Sequence, residues 1–134
     1  MSAERADNGA GVVTKLSQRS VADTVTRLED MIAGKGMTLF AAIDQSAAAS
    51  KAGLELRDTV LVVFGSPAAG TLVMQAAPLA ALDLPLKVLI WDDSGQTKVT
   101  YYSPTALADR YHLGPDLEAK LAGIDPLTDA LVSG

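Results

Sequence analysis

Two aspartates, one lysine and a glycine-bracketed turn are the groups in this chain best placed to do chemistry. Asp44 ends the apolar run Met37–Ile43, and Asp83 stands just ahead of the run Leu86–Trp91. An aspartate at such a boundary can cap the next helix or turn through its carboxylate. Partly buried, it can instead act as general base or ligand anchor. Because both flank strand ends, the two carboxylates could face one cleft. Lys87 follows closely and is expected to pair with Asp83 or Asp44 rather than to catalyse; Arg110 receives the same assignment. Gly65-Ser66-Pro67-Ala68-Ala69-Gly70-Thr71 falls between a strand and a helix, where free N–H groups can hold a small anion or a ligand carboxylate. The candidate ligand positions in it are Gly65, Ser66, Gly70 and Thr71. The two glycines are expected first of all to meet backbone torsions that other residues resist. No Lys follows Gly70 and Pro67 carries no N–H, so the turn lacks what a nucleotide-hydrolysing loop requires.

Other chemistries are short of parts. The chain has no Cys and a single His, which removes thiolate sites, disulfides and a Cys nucleophile. His112 would need three carboxylates beside it to bind zinc, a poor donor set. No G-x-S-x-G elbow accompanies it. Asp92-Asp93-Ser94-Gly95 has turn chemistry and lacks the spacing of a calcium loop. No metal and no cofactor is expected. Trp91, Tyr101 and Tyr102 are assigned to cross-strand packing, and Met31, Met37 and Met74 to the core rather than to adaptable pocket walls.

With 16 acidic against 11 basic residues the net charge is -5. The basic residues are scattered, so neither a nucleic-acid surface nor a polybasic membrane patch is expected. Met1–Gly11 is small and polar with no apolar stretch, unlike a secretory signal. Nothing in the chain approaches the roughly 18 uninterrupted apolar residues of a membrane span. A cytoplasmic protein is expected, with a flexible tail over residues 1–11 and one domain over 12–134.

The elements that must position these groups follow from patterning. Val12–Leu16 opens a strand. Ser20 and Asp23 make a capping pair ahead of a helix whose Val21, Val25, Leu28 and Ile32 share a face. Gly34 and Gly36 stop it. Met37–Ile43 is apolar on both faces, which predicts a central strand, and a small Ala-rich helix capped at Asp44 runs to Gly53. Thr59–Phe64 is a second strong strand, broken by Gly65-Ser66-Pro67; Gly70–Ala77 is predicted helical, then a turn from Pro78 to Leu82. Leu86–Trp91 and Thr97–Tyr102 form a hairpin. Ser103-Pro104 starts a helix over Thr105–Leu113, followed by helical segments Pro115–Gly123 and Pro126–Leu131. The expected fold is an α/β two-layer sandwich of the α+β type, a mixed sheet of about five strands with helices on one face. An uncovered apolar sheet face calls for a partner, so a homodimer is expected.

The runs Phe40-Ala41-Ala42-Ile43-Asp44 and Gly53-Leu54-Glu55-Leu56-Arg57 resemble the DUF302 family. So does Val63–Gln75, with its pattern FGxPxxGTxxM, and so do Pro78, Ala81-Leu82-Asp83-Leu84-Pro85-Leu86-Lys87 and Trp91. The resemblance extends from about Thr14 to Leu113 and is most specific where FGxPxxGTxxM is joined to ALDLPLK. It implies a small α/β fold similar to the TATA-binding-protein arrangement, frequent self-association and no established reaction. Members often carry His where this chain has Gln45, and Asn where it has Ser66; a base or ligand that depended on that His is absent here. The leading expectation is a non-catalytic homodimeric module binding a small apolar or anionic molecule, or a protein partner. The alternatives are an enzyme using Asp44 or Asp83 as general base, and a purely structural assembly module.

Overall fold

The computed structural model describes residues 6–7 and 11–134; most of the expected flexible tail lies outside the described residues. The strands are β1 (Ala6–Asp7), β2 (Val12–Ser17), β3 (Thr38–Asp44), β4 (Thr59–Gly65), β5 (Leu86–Asp93) and β6 (Gln96–Tyr102). The helices are α1 (Val21–Gly34), α2 (Gln45–Lys51), α3 (Pro67–Ala76), α4 (Pro104–Tyr111), α5 (Pro115–Leu121) and α6 (Ile124–Val132), with a 3-10 turn over Pro78–Leu82.

The strands form one sheet in the order β1-β2-β6-β5-β4-β3, antiparallel at every pairing. The expectation of a mixed sheet is therefore corrected. Parallel neighbours need a crossover between adjacent strands, and the one long crossover here, α1, carries the chain from β2 to the far edge at β3. A second correction concerns Met37–Ile43. It pairs with β4 alone and is an edge strand, not a central one. Its apolar residues stay accessible, with Leu39, Phe40 and Ile43 exposed.

Register explains which side chains are buried. Val62 and Phe64 of β4, Val88 and Ile90 of β5, and Val99 and Tyr101 of β6 share one face. They pack against Leu28 and Ile32 of α1 and Leu127 and Leu131 of α6. Burying a Leu or Ile of this kind contributes about 1.5–3 kcal/mol. Helix α1 starts where Ser20 Oγ accepts the Asp23 N–H at 3.0 Å and ends ahead of Gly36, in the left-handed region at φ 69°. The opposite face carries Ala41, Ile43, Leu61, Val63, Leu89 and Trp91, none of them in the core. A second apolar cluster lies beyond the end of the sheet, where Val73, Ala80, Leu107 and Leu121 meet. Leu86 touches both clusters.

One inward position is not apolar. Lys15 of β2 is fully buried. It donates to the Asp125 carbonyl at 3.0 Å and to Thr128 Oγ1, and pairs with Asp129 at 2.8 Å. Tyr101, whose ring lies 5.1 Å from the ammonium, donates to Asp125. The group ties α6 to the sheet through charge-assisted bonds, the arrangement a buried ammonium requires.

Candidate functional site

The junction between β4 and α3 is built by capping. Ser66 is extended (φ -97°, ψ 112°), and its Oγ accepts the Ala69 N–H at 3.4 Å. Pro67 sits at the first helical position, where its fixed φ favours initiation. The helix consequently begins at Pro67 and not at Gly70 as the sequence predicts. Gly65 ends the strand and Gly70 lies within the helix, and neither has a positive φ. The torsional reason expected for both glycines is thus overturned. Nor is either packed too tightly for a side chain. A Cβ on Gly70 would meet only the Met74 methyl at 3.9 Å, and one on Gly65 would meet Pro85 at 3.7 Å.

Both glycines instead line a cavity of about 560 Å³. This lies inside the 300–1,000 Å³ range typical of small-molecule sites. Phe64 and Met74 contribute apolar wall from the β4–α3 side, and Leu84, Pro85 and Leu86 from the segment entering β5. Leu121, Ile124 and Leu127 close it from the α5–α6 junction, and Met37 and Phe40 from the edge strand. Ser66 and Thr71 supply hydroxyls, and Lys35 and Lys120 are the charged residues of the lining. Among the first four N–H positions of α3, Pro67 has no donor. Ala69 is satisfied by Ser66 Oγ, and Gly70 donates to the Ser66 carbonyl at 2.9 Å. Only Ala68 is left, so this helix start is a weak anion cradle.

Of the seven sequence-chosen positions, Gly65, Ser66, Gly70 and Thr71 line this cavity; Asp44, Asp83 and Lys87 do not. Asp44 and Asp83 do not share a cleft. Asp44 pairs with Val60 at one end of β4, whereas Leu86, just after Asp83, pairs with Phe64 at the other. Asp44 is exposed and caps α2, accepting from the Ala47 N–H at 2.9 Å and the Ser46 hydroxyl at 2.6 Å. Those bonds, Ser46 first, hold its carboxyl below the usual carboxylate range.

Asp83 gathers charge. It pairs with Arg110 at 2.7 Å and Lys87 at 3.7 Å, and the Tyr111 hydroxyl donates to it. Burial pushes its carboxyl up, but the bonds from Tyr111 and Arg110 and the charges of Arg110 and Lys87 outweigh it; the net direction is down. The same contact raises the Tyr111 phenol. This cluster fastens the turn ahead of β5 to α4. Neither carboxylate is poised as a base near neutrality.

His112 is exposed and adopts the left-handed conformation that ends α4 (φ 55°), ahead of the predicted end at Leu113. Among the described residues no group of three or more His, Asp or Glu is placed to hold a metal ion. Trp91 donates to Thr100 Oγ1 at 3.0 Å across the strand pair and carries Lys98 5.6 Å from its ring. Met37 and Met74, assigned to the core alone, also wall the cavity. Lys35 and Lys120 were not singled out in the sequence, and Phe40 only as part of the family resemblance. A lysine ending a helix has an ordinary explanation in the helix dipole, and no local pattern brings two such ends together.

No described helix is long and apolar enough to cross a membrane. Over 106 residues the chain is 42% identical to fluoride-specific ion channel FluC 1 of Brucella suis biovar 1 (strain 1330), covering 78% of this chain and 42% of that one. The match to FluC 1 of Brucella abortus biovar 1 (strain 9-941) is also 42% identical and covers 39% of that protein. The chain thus spans about two fifths of the length of these curated relatives. A crystal structure of an uncharacterized conserved DUF302 protein from Bacillus stearothermophilus superimposes with a TM-score of 0.77 at 21% identity, covering 91% of this chain and 95% of that one. Residues 13–131 match the model of the domain of unknown function DUF302, and the chain belongs to that family.

Proposed function

We propose that this chain is a non-catalytic binding module, working as a homodimer in the cytoplasm, which takes a small, largely apolar ligand into the cavity between α3 and the α5–α6 junction. The observation that carries this is the pair Gly65 and Gly70 in the cavity wall. A helical glycine costs about 0.8–1 kcal/mol relative to alanine, and neither torsion nor packing requires it at Gly70. Leaving the cavity open is the remaining physical role. Homodimerisation is supported by the half-buried apolar half of the uncovered sheet face, Leu61, Val63, Leu89 and Trp91. The relatives add a setting: they are named fluoride-specific ion channels, and a channel of that kind is the protein partner they suggest.

Native mass spectrometry of the purified protein and thermal unfolding against a compound library test the ligand. A ligand at 100 times its Kd stabilises by about 2.7 kcal/mol, and Gly70→Leu should abolish that gain. Binding untouched by Gly70→Leu, or no ligand by either method, would overturn the proposal. Sedimentation of Leu89→Lys tests the dimer, which should dissociate; a parent protein that is monomeric removes it.

A further inference from the structure

We infer that the ligand of this cavity carries an anionic headgroup held between Lys35 and Lys120, with its apolar body reaching inward past Gly70 toward Phe64; the inference rests on the cavity being a binding site. The chain is acidic overall, with 16 Asp and Glu against 11 Lys and Arg, yet no acidic residue lines the cavity and two lysines do. Lys35 caps the end of α1 and Lys120 lies in the last turn of α5. The dipole favours a cation at each helix end singly. It does not account for two of them at one cavity. Among the described residues Lys35 and Lys120, like Lys51 elsewhere on the surface, make no ion pair, whereas Lys15, Lys87 and Lys98 each have an aspartate.

A cationic ligand would be repelled here, and an uncharged one would leave both exposed ammonium groups to water and gain nothing from them. An anion receives charge-assisted N–H···O bonds, which are shorter and stronger than neutral ones. The apolar walls supply area, and the two charges fix which end faces out. Carboxylate and phosphate monoester headgroups share this chemistry.

Titration calorimetry of the full chain with octanoate, octyl phosphate and 1-octanol separates the possibilities, repeated on the Lys35→Met/Lys120→Met variant, which keeps the aliphatic stems. An anionic probe should bind about tenfold tighter than the alcohol, as expected for bonds to a charged group. The advantage should vanish in the double variant and shrink with added salt. The tighter of the two anions identifies the headgroup. Equal binding of anion and alcohol, or an anion preference that survives in the double variant, overturns this inference and leaves the apolar cavity as a site. Failure of all three probes to bind removes both.

Discussion

At the β3–α2 junction Asp44 leaves the sheet and accepts the Ala47 N–H; at the β4–α3 junction Ser66 does the same for Ala69. The two follow one local rule, an oxygen-bearing residue in extended conformation that satisfies a helix N–H three residues on. Their surroundings differ. Helix α2 has no buried residue and leaves Leu54 and Leu56 in solvent beyond its end. Helix α3 is closed over by the 3-10 turn, the strand entry at Leu84–Leu86 and the α5–α6 junction, and encloses the cavity. Capping places a helix start. What packs around that start decides whether it can hold a ligand.

The largest contrast should appear in packing. Leu121→Ala, which removes a buried residue from the second cluster and enlarges the cavity, is expected to cost about 2–5 kcal/mol. Leu54→Ala at the exposed junction should stay within about 0.5 kcal/mol. Urea unfolding of both variants checks the pair, and similar losses would erase the distinction between the junctions.

Next in size, Asp83→Asn should cost about 1 kcal/mol near neutral pH by weakening the bonds from Tyr111 and Arg110. The folded carboxyl lies below its ordinary value, so its contribution is present above the unfolded pKa and is lost as pH falls through the folded one. The variant should therefore lose less stability than the parent on acidification from pH 5, as read by thermal unfolding across that range.

Gly70→Ala should stabilise the ligand-free protein by about 0.5–1 kcal/mol, because the residue is helical and its new methyl meets only Met74. Destabilisation would mean a packing constraint at Gly70 and would weaken the case for a ligand. Asp44→Asn is expected to give the smallest effect, since asparagine caps as well as aspartate and no catalysis is assigned to this residue. A clear drop in stability, or in any activity found, would return Asp44 to the functional residues.

Most elements were legible because their signals are local. Ser20 and Ser103 each cap a helix through their own side chains, and Ser94-Gly95 turns the hairpin with both residues at positive φ. Local signals failed where burial depends on neighbours far along the chain. The apolar run ending at Ile43 resembles a central strand, but its place in the strand order was settled by where α1 delivers it. Lys15 gave no sign of being buried, because its partners Asp125, Thr128 and Asp129 lie more than a hundred residues away. The cavity was half legible: the glycine-bracketed turn stood out, whereas Lys35 and Lys120 did not.

By itself the sequence determined the starts of α1 and α2, the hairpin, the apolar runs that become β4 and β5, and the want of thiols for redox or nucleophilic chemistry. These depend on a residue and its near neighbours, within reach of one turn or one strand. Tertiary structure alone decided that every strand pairing is antiparallel, that Asp44 and Asp83 stand at opposite ends of the sheet, and that two helix ends bring their lysines to one apolar cavity. Such choices depend on chain segments meeting across long loops, where burial and charge are summed over residues that no local pattern connects.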